Sequence, residues 1–496
     1  MSNESLNEQR QQRLENLQSL TEVGFEAYPY SFTPTHYADA LQKTFKEENN
    51  AQPGDHFEEN VIVAGRIMLL RAMGKATFLT LQDMTGRIQT YLQKDATEHY
   101  EASKKLDLGD WLEVSGTLFI TKTGELTVKA NKFRPLVKSL RPLPDKFHGI
   151  ADKEVRYRQR YLDLIVNPEV KRAFVLRSKA ISFIRNYLDD LGFIEVETPV
   201  LQAIPGGAEA RPFLTHHNAL DHDFHLRISL ELYLKRLIVG GFDAVYEIGR
   251  NFRNEGMSHK HNPEYTMLEL YWVGKDYIDI LKLVEEMYSQ LILKLTGSMK
   301  LTYQGQELDF TPPWPRLDYT GEVAKRAGID FDFMDEQKLR VWVREHHPRV
   351  DDVVLADEPI NQIYNKLYDI YLEPHLVQPT FVMDHPLAIS PLSKKHRARA
   401  GLVERFEPVC MGMELGNAFS ELNDALDQRE RFEEQQKLRD AGDDEKPPLD
   451  EDFLTALEYG MPPTGGLGLG IDRLAILLAD VPSIRDVILF PLLRPE

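Results

Sequence analysis

The chain has 496 residues, 42% hydrophobic and 10% aromatic, with a formal charge of −19 and a single cysteine, Cys410. Such a length exceeds one ordinary core and implies two or three domains, and the acidic balance excludes a protein that coats nucleic acid indiscriminately while leaving room for local basic patches. One cysteine excludes an internal disulfide and a cysteine-rich zinc site and fits a reducing, cytoplasmic compartment; with no apolar run of membrane-spanning length and no secretory pattern in MSNESLNEQRQQR, neither a membrane partner nor a leader is expected.

Residues 1–25 place Leu14, Leu17, Leu20 and Val23 at helical spacing among polar residues. Such a helix is either solvated or touches RNA through Arg10 and Arg13. With the polar loop at 50–58 it makes up an N-terminal segment, 1–60. From 61 to 139 the pattern changes to five short strands with turns at Gly74, Gly86, Gly109 and Gly124, and a helical insert near Ala96–Leu106. That spacing suggests a small closed barrel of the oligonucleotide-binding type. Arg66, Phe78 and Gln89 fall on three of its strands. Phe78 is either a base-stacking plate or barrel core. A Pro-rich stretch within 140–160 reads as the linker. The basic run Lys153, Arg156, Arg158, Arg160 either meets phosphate or packs as a helix start.

The remainder, 161–496, mixes helices and strands. Val170–Leu191 is a helix stopped by Gly192. FIEVETPVL follows as a strand closed by Pro199, then the glycine-rich loop IPGGAEARPF. Leu226–Ile228 reads as a strand and Leu230–Val239 as a helix carrying Glu231. Asp276–Leu295 is helical, 320–376 is a mostly helical insertion, and SPLSKKHRARAG (390–401) is a basic, flexible loop.

Three stretches carry polar groups where alternation expects a sheet face. In YEIGRNFRNEGMSHKHNPEYTMLELY (246–271), two strands flank a polar loop. Period two puts Tyr265, Met267, Glu269 and Tyr271 on one face and Thr266, Leu268 and Leu270 on the other, the core side. Arg253, Glu255, Lys260, His261 and Asn262 stand in or beside the loop. This is either a solvated face or a platform for a nucleotide beside a cationic substrate. In RFEPVCMGMELGNAFSE (405–421), Asn417, Phe419 and Glu421 share a face. Glu407, Glu414 and Glu421 recur at odd intervals, so Glu414 needs a bend, for instance at Gly416, to join the others. GGLGLGIDRLAILLAD (465–480) is a glycine-rich strand entering a helix. It lacks the Lys-Ser/Thr of a phosphate loop and the Gly-x-Gly-x-x-Gly of a dinucleotide turn. Its glycines, Gly470 among them, would admit a flat ligand beside Arg473.

Together these stretches resemble the class II aminoacyl-tRNA synthetases, and within them the lysyl-tRNA synthetases. GFIEVETP resembles the family's first motif, the dimer element. FRNEG in the opening strand pair resembles the second, and GLGLGIDR the third. The resemblance implies an α+β chain: an OB-type β-barrel that binds the anticodon, then a dimeric catalytic domain built as an antiparallel sheet flanked by helices. It implies ATP-dependent formation of lysyl-adenylate and transfer of the acyl group to tRNA-Lys. Arg253 and Arg473 are then catalytic. ATP meets Arg253, Glu255, His261, Asn262, Tyr265, Glu407, Glu414, Gly470 and Arg473, with magnesium on Glu407 and Glu414. Lysine meets Gly207, Glu231, Glu269, Tyr271, Asn417, Phe419 and Glu421, and the anticodon meets Arg66, Phe78 and Gln89. Three departures from the family pattern stand out: Ser229-Leu230 where Ala-Pro is frequent, Gly249 for Asn, and Tyr265 for Phe. The alternatives are an aspartate- or asparagine-type relative, which would need cations where these carboxylates stand, a paralogue that attaches lysine to protein, and a silent RNA-binding paralogue.

Overall fold

A computed structural model describes residues 3–144, 150, 152–347, 354–443 and 445–495. Parts of the expected linker and of the acidic stretches near 350 and 444 lie outside these residues. The chain divides into two compact units, Met1–Ala151 and Asp152–Glu496.

The first unit opens with helix α1 (Asn3–Glu22). Leu20 is buried, but so is Arg13, which donates to the carbonyls of Ser139 at 2.6 Å and Leu108 at 3.1 Å. Those bonds, both from Nη1, and the burial of the side chain dock the helix rather than leave it solvated, and turn Arg13 inward, away from RNA. Five strands close the barrel: β1 (His56–Met73), β2 (Ala76–Gln82), β3 (Arg87–Gln93), β4 (Trp111–Ile120) and β5 (Leu126–Val137), in the order β1-β2-β3-β5-β4. Alternation turns Val61, Val63, Leu79, Leu81, Ile88 and Leu92 inward. The insert is a short 3₁₀ turn, Tyr100–Lys105.

In the second unit helix α2 (Lys171–Asp190) ends at Gly192, whose φ of +85° suits a glycine. FIEVETPVL is not one strand. It splits into β6 (Ile194–Glu195) and a separate piece, Leu201–Gln202, in another sheet. The break lies at Thr198, whose N–H and hydroxyl both donate to Glu247 at 2.9 and 2.7 Å, just before Pro199. The strand expected at Leu226–Ile228 sits earlier, at His222–Leu226. The elements that carry the site are α3 (Glu231–Val239), β7 (Ala244–Phe252), β8 (Glu264–Val273), α4 (Tyr277–Thr296), β9 (Arg316–Asp318), β10 (Thr380–Met383), β11 (Arg405–Cys410), β12 (Met413–Glu414), β13 (Gly416–Ser420), β14 (Thr464–Gly470) and α5 (Ile471–Ala479). Their sheet runs β9-β10-β11-β13-β14-β8-β7-β6, with β12 paired to β11. It is antiparallel except at its two ends.

One face of this sheet is core. Leu268, Leu270, Leu467, Leu469, Ala418 and Phe406 pack against α2, α4 and α5. At about 25 cal/mol per Å² of apolar surface, this burial stabilises the platform whose other face carries the site. The segment between β9 and β10 is helical, with Tyr319–Ala327, Glu336–His346 and Ile360–Tyr371 around a separate apolar cluster. The basic stretch 153–160 packs rather than reaching for phosphate. Arg160 is fully buried, bonded to Asp163 at 2.7 Å and to the carbonyl of Leu489 at 3.0 Å. The loop 390–401 is tied down: Arg397 pairs with Glu404 and Asp276, and Arg399 with Asp318 and Asp384.

Candidate active site

The site face is organised by the glycines of β14. Across the three central strands, Gly468 lies between Asn417 of β13 and Glu269 of β8, and Gly466 between Phe419 and Tyr271. With only glycines on this face of the middle strand, the outer two overhang a trough. A Cβ at Gly466 would come within 1.8 Å of a Glu421 carboxylate oxygen, and one at Gly468 within 3.1 Å of Met267 Cε. Gly466 thus makes room for a protein carboxylate, while Gly470, opposite Met267, opens the trough at its other end.

Two adjoining cavities occupy this face. One is lined by Arg253, Glu255, His261, Asn262, Tyr265, Glu414, Gly470 and Arg473. The other is lined by Gly207, Glu231, Glu269, Tyr271, Glu407, Asn417, Phe419 and Glu421. Arg253, Met267, Glu414 and Gly468 border both. The nucleotide residues named from sequence therefore lie together, save Glu407, which lies in the second cavity with all seven of the lysine residues.

In the first cavity Arg253 is held by its backbone N–H on the Pro263 carbonyl at 2.8 Å, with its guanidinium 5.6 Å from the Tyr265 ring. Among the described residues its Nε has no partner. Arg473 donates to the Glu414 carbonyl at 2.6 Å and to His261 Nε2 at 3.2 Å. Arginine can only donate, so His261 Nε2 accepts, and Nδ1–H donates to Ser258 Oγ at 2.8 Å. Burial, with Arg473 and Lys260 nearby, pushes His261 down to about 4, so the ring is neutral. Asp472 fixes the third motif: it accepts from the Thr266 N–H at 2.7 Å and from Arg177 at 2.8 Å.

The second cavity is acidic and buried. Glu269 accepts from Ser229 Oγ and the Leu230 N–H, each at 3.1 Å, and from Tyr271 at 3.3 Å. Burial, reinforced by Glu231, pushes Glu269 up to about 7. The Ser229-Leu230 departure from the family pattern finds its use here, since Ala-Pro could supply neither donor. Gly249 has a different reason: a Cβ there would lie 2.3 Å from the Arg227 guanidinium that pairs with Glu247. Glu407 accepts from Arg405 at 2.6 Å; burial pushes it up to about 7, Arg405 opposes this and Glu414 adds to it. Arg405 also donates to Asn417 Oδ1 at 2.9 Å. Glu414 reaches the cavity because the chain turns at Met411-Gly412, between Glu407 and Glu414, into the short β12, and the strand is interrupted at Leu415, between Glu414 and Glu421, one residue before the expected bend.

The sequence did not single out Lys235 or Arg405, and it marked Ser229 only as a departure from the family pattern. Lys235 Nζ, fully buried on α3, lies 2.5 Å from Glu231 and pairs with Glu421. Its signal was present in LELYLKRLIV: a Glu–Lys pair four apart inside a helix whose only other charge is Arg236.

On the barrel, Phe78 is half-buried on the outer face and is not part of the core. It pairs with Tyr91 across β2 and β3, ring centroids 4.7 Å apart, and Gln89 lies two residues along on the same face. Tyr91 and Phe119 extend the aromatic surface at 6.0 Å. The Arg66 guanidinium is bonded to the Gly109 carbonyl at 2.8 Å and lies over Trp111.

Residues 152–494 match the family of class II tRNA synthetases for D, K and N, and 61–136 match the OB-fold nucleic acid binding domain. The lysine–tRNA ligase of Deinococcus radiodurans is 56% identical over 99% of this chain and 95% of its own length. Those of Moorella thermoacetica and Bacillus subtilis are 50% and 48% identical over at least 97% of their lengths. By sequence match along nearly its whole length, and with an acidic cavity joined to an arginine-lined one, the chain belongs to the lysine–tRNA ligases of the class II aminoacyl-tRNA synthetase family.

Proposed function

We propose that the two cavities carry out the two halves of one reaction: L-lysine and ATP form lysyl-adenylate and pyrophosphate, and the lysyl group then passes to the 3′ end of tRNA-Lys. The observation that carries this reading is Arg253 on the border of both cavities. A guanidinium there can hold the lysine carboxylate and the α-phosphate together, which is the approach the reaction needs.

The remaining roles follow from the donors present. Tyr265 and Arg473 offer a ring and a guanidinium to the two faces of adenine, Glu255 accepts from its amino group, and Asn262 and Gly470 border the nucleotide. Neutral His261 donates toward the outer phosphates once Arg473 and Ser258 release it. Glu269, Glu231 and Glu421 with Tyr271 take the ammonium groups; Gly207, Asn417 and Phe419 shape the walls. Attack comes from the substrate carboxylate, so no side-chain nucleophile is required. The protein supplies orientation and opposing charge at phosphorus. Glu407 and Glu414 fit magnesium: two neighbouring carboxylates, one raised by burial and by the other's charge, suit a hard dication that takes oxygen ligands. Bound there with the phosphates, it would neutralise their charge.

In the barrel Phe78 stacks on an anticodon base, with Gln89 and Arg66 beside the strand. Exposed apolar side chains at Leu191, Ile194, Val200 and Leu201 support a homodimer through the first motif. The buried thiol of Cys410 is consistent with a cytoplasmic setting. We assign 61–139 to anticodon binding, 140–151 to the linker and 152–496 to catalysis, since 152–160 packs within the second unit, with 1–60 as an N-terminal segment. An aspartate or asparagine pocket would present cations where Glu231, Glu269 and Glu421 stand. ATP–pyrophosphate exchange across the twenty amino acids, followed by charging of tRNA-Lys, tests the proposal. Exchange with lysine alone and charging of that tRNA are expected; exchange with aspartate, or none with lysine, would overturn it.

A further inference from the structure

Lys235 poses a question that the reaction does not answer. Its ammonium is fully buried, 2.5 Å from Glu231 and paired with Glu421, with the Phe419 ring 5.5 Å away. It does not border the cavity, whereas both carboxylates do. It therefore sits behind them, on the side away from substrate. Glu421 has no other hydrogen-bond donor among the described residues, and both its oxygens are buried. The groups facing this cluster are Glu269 and Tyr271 from β8 and Arg405 from β11, the last already matched by Glu407.

Counting charge on these groups gives a definite result. When all three carboxylates, Glu231, Glu269 and Glu421, are ionised, they less one resident ammonium leave two negative charges. Free lysine brings two ammonium groups, and its carboxylate is met separately by Arg253. We propose that Lys235 is a positioning and specificity-determining residue that sets the pocket at two net negative charges, the number that a diamino acid neutralises, and that holds Glu421 and Glu231 ionised and oriented for it. This rests on the lysine-pocket reading given above. Burial opposes the charge on Lys235, but Glu231 and Glu421 outweigh it and raise the ammonium above its ordinary value. The same burial raises Glu421, with Glu231 and Glu269 adding to the rise, and Lys235 is the cation that opposes it. Without it, three buried carboxylates would share protons, because like charges in one site cannot all ionise. The pocket would then meet lysine partly neutral.

The test uses the full chain and three variants. In ATP–pyrophosphate exchange, Lys235→Met is expected to raise the KM for lysine at least about tenfold, with the KM for ATP and kcat nearly unchanged, and to move the acid limb of kcat/KM for lysine upward by about one pH unit. Lys235→Met combined with Glu231→Gln restores the count of two. Its acid limb is expected near the wild-type position even though lysine binds more weakly, and this pair serves if the single variant does not fold. A folded Lys235→Met enzyme with unchanged lysine KM and acid limb would overturn the proposal, as would a double variant whose limb stays displaced. Glu421→Gln separates the two levels. If it raises the lysine KM and Lys235→Met does not, only the charge-setting role is lost; if neither does, the pocket reading goes with it.

Discussion

Ser229→Ala is a small change with a large expected consequence. Ser229 Oγ donates to Glu269 at 3.1 Å, and the Leu230 N–H donates to the same oxygen at 3.1 Å. Both hydrogen bonds favour the ionised carboxylate against burial, which with Glu231 holds Glu269 up at about 7. A hydrogen bond to a charged group contributes about 1.5–3 kcal/mol, and 1.4 kcal/mol corresponds to one pH unit, so losing this donor should raise Glu269 by about one unit. Glu269 must be ionised to receive an ammonium group. In the wild type, kcat/KM for lysine should therefore fall as pH drops through about 7. In Ser229→Ala the fall should begin about one unit higher. The stability term has the opposite sense. A carboxyl whose folded value lies above its unfolded one stabilises fully below the unfolded value, and that contribution is lost as pH rises through the folded value. From 4.5 to about 7 this amounts to about 3 kcal/mol for one group, since each unit is 1.36 kcal/mol. Exchange kinetics and thermal melts from pH 5.5 to about 9 read both. An acid limb that does not move, or moves down, would refute the reasoning.

Glu421→Gln should raise the lysine KM by about two orders of magnitude, the result of losing about 3 kcal/mol at a buried charge pair, while ATP binding stays within about twofold because Glu421 borders only the acidic cavity. Equal loss of both substrates contradicts that role. Gly466→Ala should act in the same direction without changing any charge, because its Cβ would lie 1.8 Å from the Glu421 carboxylate and displace it. Unchanged lysine kinetics in a folded Gly466→Ala enzyme would show that the carboxylate is not pinned. Phe78→Ala should weaken tRNA charging by about 1–3 kcal/mol, one stacked base, and leave lysine-dependent pyrophosphate exchange alone. Matching losses in both steps would instead indicate damage to the barrel.

How far sequence reading reached depends on how local the cause was. Alternation placed Glu269, Tyr271 and Leu268 on their faces because period two is a property of the strand itself. It left open which face Phe78 took. The inserted helices showed through their own apolar periodicity. Long-range bonds were what escaped. FIEVETPVL has strand composition, yet Glu247, fifty residues on, captures Thr198 and breaks the strand in two. Arg13 read as a surface cation, and carbonyls from a distant segment bury it; for Arg160 the sequence left phosphate contact and packing both open, and the bond to the Leu489 carbonyl goes with packing. The pairing of Lys235 with Glu421 joins α3 to the end of β13, which no spacing rule records.

The account turns on one continuous site in which Arg253 joins a nucleotide to an amino acid whose ammonium group lies among carboxylates. A crystal structure of the full chain with L-lysine and a non-hydrolysable ATP analogue measures this directly. The predicted result has the α-phosphate and the lysine carboxylate both on Arg253, adenine between Tyr265 and Arg473, and the side-chain ammonium on Glu421. Lysine bound away from Glu421 and Glu269, or a nucleotide that does not reach Arg253, would contradict it.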